Sequence, residues 1–298
     1  MTYRLFEEKH HASLYHRYRF VPPDAVKGHI LQYLDKKKGQ PHVLAVDLGC
    51  GTGQNTRLLA PHFQEVVGID ISECQLEQAR AVPGFPNVTY RVGTAEELPF
   101  PDGSVDLLTA ASAAHWFHPE HFLREAARTL RPCGCMALLG YTDNMGLHYG
   151  SCGDRLNSLF EEALLPAATL CYGEAVWQRG YGTGPKNTVG ERVPVPYTSS
   201  QVAVANTRLQ ELFDAIPFPD KERIESIEIK NPISVRNLVG FIESFSYYQA
   251  YLRAQPEAAT AFLQRTQDRF LEEMGASSPE TEMEVHLKYF CVLACKPQ

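Results

Sequence analysis

From residue 24 to about 140, short apolar runs bounded by turn residues alternate with segments whose apolar positions recur at helical spacing. The pattern predicts helices over Ala25–Leu34, Asn55–His62 and Phe122–Leu130, and strands over Val43–Leu48, Glu65–Asp70, Asn87–Val92, Val105–Ala110 and Cys135–Tyr141. Ser72 predicts a helix start, because its hydroxyl can accept from a free backbone N–H, and Leu76 and Ala79 supply the inward face through Arg80. Strand and helix in regular alternation specify a parallel sheet with helices on both faces.

The pattern changes between Thr142 and about Ala205. Glycine, proline and aromatic residues dominate, including RGYGTGPKNTVGERVPVPY, which cannot sustain a long regular element. A loop of that length without structure is unusual, so a helix such as Leu156–Leu165 is expected inside it. Regularity returns with helices over Leu209–Ile216, Val235–Leu252 and Ala258–Met274 and strands over Arg223–Ile229 and Val285–Ala294. The expected organisation is a lid segment over 1–24, a core over 25–141, an insertion or acceptor cap over 142–205, and the rest of the sheet with added helices over 206–298.

Composition narrows the function classes. Apolar residues at 44% and charged residues at 21% are ordinary for a globular protein, and a net charge of −7 gives no electrostatic reason to expect nucleic acid. No run approaches the roughly 18 apolar residues of a membrane span, and the charged start lacks the core of a secretory signal, so a cytoplasmic protein is expected. Eight cysteines include two close pairs, Cys133 with Cys135 and Cys291 with Cys295. Neither pair has the partner that zinc spacing requires, and no metal is expected.

The sharpest motif is VLAVDLGCGTGQNT. Asp47 ends a strand, and Gly49, Gly51 and Gly53 alternate through the turn, where glycine permits positive φ and close approach of a ligand to the backbone. Gln54 stands where the longer dinucleotide spacing requires its third glycine, so the turn is not built to seat a pyrophosphate. A carboxylate at Asp47 would repel a pyrophosphate and could instead satisfy an ammonium, directly or through water. Asp70, followed by Ile71, ends the next strand and is placed to accept from both hydroxyls of a ribose.

These residues resemble the class I S-adenosylmethionine-dependent methyltransferases, of the methyltransferase type 11-like kind. The resemblance implies a Rossmann-like α/β fold with a seven-stranded, mostly parallel sheet and an insertion after strand 5. S-adenosyl-L-methionine is the implied cofactor and S-adenosyl-L-homocysteine its product. In this family the segment after the third strand reaches the adenine, commonly through an acid before an alanine. Here Thr94 precedes Ala95, and a threonine hydroxyl can still contact the exocyclic amine. Asp106 reads as structural.

Transfer from a sulfonium is an in-line displacement that mainly requires orientation and exclusion of water. A carboxylate acceptor needs no base; a hydroxyl, amine or thiol benefits from one. The fourth strand ends in AASAAHWFHPEH, at the ligand-binding edge of the sheet. The HWF step, the N-terminal YHRYR and the long insertion resemble a branch of small-molecule methyltransferases that includes trans-aconitate methyltransferases. That resemblance implies that His115 lines the junction of cofactor and acceptor, as a base or as a residue shaping the loop, with Trp116 beside it. It also implies that the N-terminal segment folds over the cofactor, where Tyr15 would exclude water and Arg19 could grip a carboxylate. Tyr247, Tyr248 and Tyr251 share nearly one helical face; core packing is the default and lining of an acceptor pocket by Tyr247 the alternative.

The expectation is a methyltransferase for a small-molecule acceptor. A non-catalytic protein that binds the same cofactor stands as one alternative. A nicotinamide-dependent oxidoreductase stands as another, opposed by Asp47 and by the glycine spacing.

Overall fold

The computed structural model describes residues 6–142, 145–172 and 207–298, with side chains in the second span through Leu164. The tract RGYGTGPKNTVGERVPVPY lies outside the described residues. Two compact units divide the chain: Met1–Asn144, Val204–Ile229 and Leu287–Gln298 form the first, Met145–Ala203 and Lys230–His286 the second. The strands are β1 (Leu44–Leu48), β2 (Glu65–Asp70), β3 (Val88–Val92), β4 (Val105–Ala111), β5 (Leu130–Tyr141), β6 (Gly146–His148), β7 (Asp220–Ser234) and β8 (Glu282–Cys295). The sequence pattern lacks only β6, whose three residues are too few for a period to register.

In the first unit β1 to β5 are parallel in the order β3-β2-β1-β4-β5, and the C-terminal part of β8 pairs antiparallel with β5 from Cys135↔Cys295 to Tyr141↔Tyr289. β1, β2 and β4 are buried almost throughout, as their unbroken apolar runs require of strands covered on both faces. β3 is the edge: its residues are half-buried or exposed, and Val92 is 59% exposed.

The helices of this unit are α1 (Lys9–Tyr18), α2 (Asp24–Lys37), α3 (Gln54–Leu59), α4 (Glu73–Arg80), α5 (Pro119–Thr129) and, after α6 (Gly153–Tyr172) of the second unit, α7 (Gln210–Ala215). α4 starts as expected, with the Ser72 hydroxyl accepting from the Gln75 N–H at 3.3 Å. α5 begins with Pro119, whose missing N–H costs nothing at that position, and turns Phe122, Leu123, Ala126 and Thr129 inward. Burying Phe122 alone contributes about 2–3 kcal/mol. Asp106 is structural: fully buried, it accepts from the Leu44 N–H at 2.9 Å and pairs with Lys38 at 3.2 Å and Arg131 at 2.9 Å.

In the second unit β6 pairs antiparallel with β8 from Gly146↔His286 to His148↔Glu284. The single helix expected over Val235–Leu252 is two, α8 (Val235–Glu243) and α9 (Ser246–Ala254), followed by α10 (Pro256–Met274). The break has a local cause. The Ser244 hydroxyl donates to the Phe241 carbonyl at 2.7 Å, and Phe245 is extended, with its ring stacked on Tyr247 at 4.9 Å. Tyr248 and Tyr251 are core residues, and the Tyr248 hydroxyl donates to the Ala259 carbonyl at 3.0 Å. Among the described residues no helix is long and apolar enough to cross a membrane.

Candidate active site

The strand order grows outward in both directions from β1 and β4, and the loops leaving these strands flank the crevice where open α/β sheets bind ligands. The loop after β1 passes through the left-handed region at Gly49 (φ +60°), Gly51 (φ +54°) and Gly53 (φ +75°). A Cβ on Gly49 would stand 2.5 Å from the Ala113 Cβ, and one on Gly53 2.2 Å from the Tyr90 hydroxyl. Gly51 meets nothing closer than 3.7 Å, so there the backbone conformation alone demands glycine.

The two acids of the motif differ in what they hold. Asp47 is fully buried, and its carboxylate accepts from Asn55 Nδ2 at 2.7 Å, Thr56 Oγ1 at 2.7 Å and Thr109 Oγ1 at 2.8 Å. It ties the first turn of α3 and strand β4 to the end of β1. Burial pushes its carboxyl pKa up, and the three donors pull it back. Asp70 is only half-buried. Its Oδ2 accepts from the Gly51 N–H and its Oδ1 from the Ser72 N–H, both at 2.8 Å. The Ile71 N–H also favours its charged form, and a carboxylate with about four acceptor sites keeps capacity for a further donor such as a ribose hydroxyl. Ile71 and Thr94 are half-buried, Ala95 is buried, and Thr94 bridges to Glu97 across the turn after β3.

The N-terminal segment forms α1, which the apolar pattern does not indicate. Tertiary contacts hold it: Ser72 Oγ donates to the Phe6 carbonyl at 2.7 Å, Gln54 Nε2 to the His16 carbonyl at 3.1 Å, and Lys9 pairs with Glu77 at 2.8 Å. Tyr15 and Arg19 thereby reach the glycine loop and, with Ser112 after β4, Tyr141 at the end of β5 and Tyr289 of β8, line a cavity of about 40 Å³ that also touches Asp47, Gly49 and Gly51. The Arg19 guanidinium lies over the Tyr15 ring at 5.1 Å, and its Nη1 donates to the Tyr141 hydroxyl at 3.3 Å. Burial raises the Tyr15 pKa, with Arg19 acting against it.

His115 and Trp116 form a short 3₁₀ turn after β4, with ring centroids 5.1 Å apart. Burial pushes the His115 pKa down to about 4, so the imidazole is neutral at physiological pH. Tyr247 belongs to the second unit, packed beside Phe245 and the Tyr248 cluster. Thus the sequence-identified Asp47, Gly49, Gly51, Tyr15 and Arg19 meet in one cavity. Ser112, Tyr141 and Tyr289 are additions. Tyr141 was detectable as the residue ending a parallel strand at the ligand edge. Tyr289 was not, because its position depends on the β5–β8 register.

A mostly parallel sheet with its glycine loop, a half-buried acid ending the next strand and a crevice at the carboxyl edge defines a Rossmann-like fold. Residues 46–138, from β1 to β5, match the family described as a methyltransferase domain. A Dictyostelium discoideum protein provisionally named a methyltransferase is 28% identical over 243 residues, covering 80% of this chain and 76% of that protein. An uncharacterized methyltransferase of Mycobacterium tuberculosis is 38% identical over 117 residues, which is 37% of this chain and 47% of that protein. The fold is similar to that of a protein from Anaeromyxobacter dehalogenans described provisionally as a type II methyltransferase, with a TM-score of 0.62 and 22% identity over 94% of this chain and 99% of that one. Residues 46–138 of the chain thus form a methyltransferase domain, the kind whose cofactor is S-adenosyl-L-methionine.

The residues present fit that cofactor. Asp70 has acceptor capacity for a ribose hydroxyl, and the Gly49–Thr52 backbone borders the cavity without side-chain obstruction at Gly51.

Proposed function

We propose that the chain methylates a small-molecule acceptor, with a carboxylate as the favoured nucleophile, in the manner of the branch that includes trans-aconitate methyltransferases. The observation that carries this reading is Arg19, a guanidinium held against Tyr141 in the cavity bordered by the glycine loop. Asp70, with Ile71 beside it, takes the ribose, Gly49, Gly51 and Gly53 shape the floor, Thr94 and Ala95 serve the adenine, and Asp47 holds the loop. Bound cofactor would supply an electrophilic methyl on a sulfonium, to be displaced by the acceptor's lone pair with the sulfur as leaving group. His115 supports a carboxylate in particular: an imidazole with a pKa of about 4 is a poor proton acceptor at neutral pH, and a carboxylate has no proton to give up. In this reading His115 and Trp116 orient the acceptor and exclude water.

Residues 1–24 act as a lid. Pockets for small ligands are typically about 300 Å³ or more, against about 40 Å³ here with Tyr15 and Arg19 in place. Entry therefore moves the segment outward, and binding closes it.

Incubation with labelled S-adenosyl-L-methionine and a panel of small carboxylic acids, phenols, amines and thiols tests the proposal. Labelled ester from the acids is the expected result. Label on amines or thiols alone would remove the carboxylate, and cofactor binding with no transfer across a metabolite extract would leave a non-catalytic binder.

A further inference from the structure

Tyr289 is 2% exposed, and its hydroxyl has no hydrogen-bond partner among the described residues. A buried hydroxyl left without a partner costs free energy, so such a group calls for an explanation. It lines the cavity that holds Arg19 and the glycine loop. It also stands directly opposite Tyr141 in the β5–β8 ladder, with ring centroids 5.4 Å apart and planes at 61°. One side of the cavity thus presents a guanidinium and two phenols. The anionic lining residue is Asp47, whose charge three donors already engage. A cation with neutral O–H donors and no competing free anion is the chemistry that binds a carboxylate.

We propose that Tyr289, with Tyr141 and Arg19, forms a carboxylate-binding subsite at the carboxyl end of β5, and that the Tyr289 hydroxyl finds its missing partner in the ligand. The inference rests on the methyltransferase reading. Two ligands bring a carboxylate to this crevice: the amino-acid end of the cofactor and the proposed acceptor.

Calorimetric titration of the full chain and its Tyr289→Phe variant separates them. Three probes are used: S-adenosyl-L-homocysteine, its decarboxylated analogue, and glutarate or tricarballylate added to the S-adenosyl-L-homocysteine-loaded protein. If the cofactor carboxylate occupies the subsite, Tyr289→Phe weakens S-adenosyl-L-homocysteine by roughly 10-fold, as for a lost hydrogen bond to a charged group, and leaves the decarboxylated analogue unchanged. If the acceptor carboxylate occupies it, S-adenosyl-L-homocysteine binds equally to both proteins and the dicarboxylate or tricarboxylate is weakened by that factor. In either case the ligand-free variant melts roughly 2–4 °C higher, because an unsatisfied buried hydroxyl is gone. Equal binding of every probe by the two proteins overturns the subsite alone. Failure of the unaltered chain to bind S-adenosyl-L-homocysteine overturns the methyltransferase reading beneath it.

Discussion

Asp47 and Asp70 end neighbouring parallel strands and flank one glycine loop, yet they are built for different work. Asp47 is sealed, with both oxygens taken by side chains from α3 and β4. Asp70 is half-open, with backbone N–H groups on its oxygens and acceptor capacity left over. Burial opposes charge on both, and hydrogen bonds counter it at both, from side chains at Asp47 and from backbone N–H groups at Asp70. An acid beside a glycine loop is therefore not by itself a ligand contact; what decides is whether its acceptor sites are already filled.

The largest expected effect is on stability at the sealed site. Asp47→Ala strands three buried donors and should cost about 3 kcal/mol or more in urea unfolding. A loss below about 1 kcal/mol would mean that the carboxylate does not hold the loop.

His115 extends the comparison to pH. Its ring ionises near pH 6.5 when unfolded and near 4 when folded. The unfolded state therefore binds the extra proton first, and folding stability falls as pH drops from about 6.5 to 4. On the order of 2 kcal/mol should be lost across that window. The raised carboxyls of Asp47 and Asp70 act in the opposite sense at its lower end. Comparison with His115→Gln isolates the imidazole, and parallel pH profiles for the two proteins would show that the ring is not buried neutral.

The glycine loop yields a smaller effect. Gly51→Ala meets no clash but places a Cβ at φ +54°, so a stability loss of about 1 kcal/mol is expected. A loss as large as that of Gly53→Ala, whose Cβ would strike Tyr90, would assign Gly51 a packing role instead. For the lid, hydrogen exchange over residues 9–20 should slow when S-adenosyl-L-homocysteine binds, and unchanged exchange would remove that role.

The first unit was largely readable from sequence because its signals are local. β2 matches the apolar run residue for residue, and the Ser72 cap follows from one hydroxyl before a helical period. α1 escaped because it is short, with a largely polar surface, and contacts from α3 and α4 hold it. The break between α8 and α9 escaped because apolar spacing continues across Ser244 and Phe245 while the backbone does not. In the site, the glycines and both acids were legible as a motif. The saturation of Asp47 depends on Thr109, from a strand far along the chain, and Tyr289 on antiparallel register; neither leaves a local mark.

The proposed binding of S-adenosyl-L-methionine in this crevice depends on the half-open acid, Asp70. Isothermal titration of the chain and of Asp70→Ala with S-adenosyl-L-methionine, with NADH as control, tests it most directly. The expected result is binding of S-adenosyl-L-methionine and not NADH, weakened by roughly 1–3 kcal/mol in the variant. Equal affinity in the two proteins, or binding of NADH alone, would contradict it.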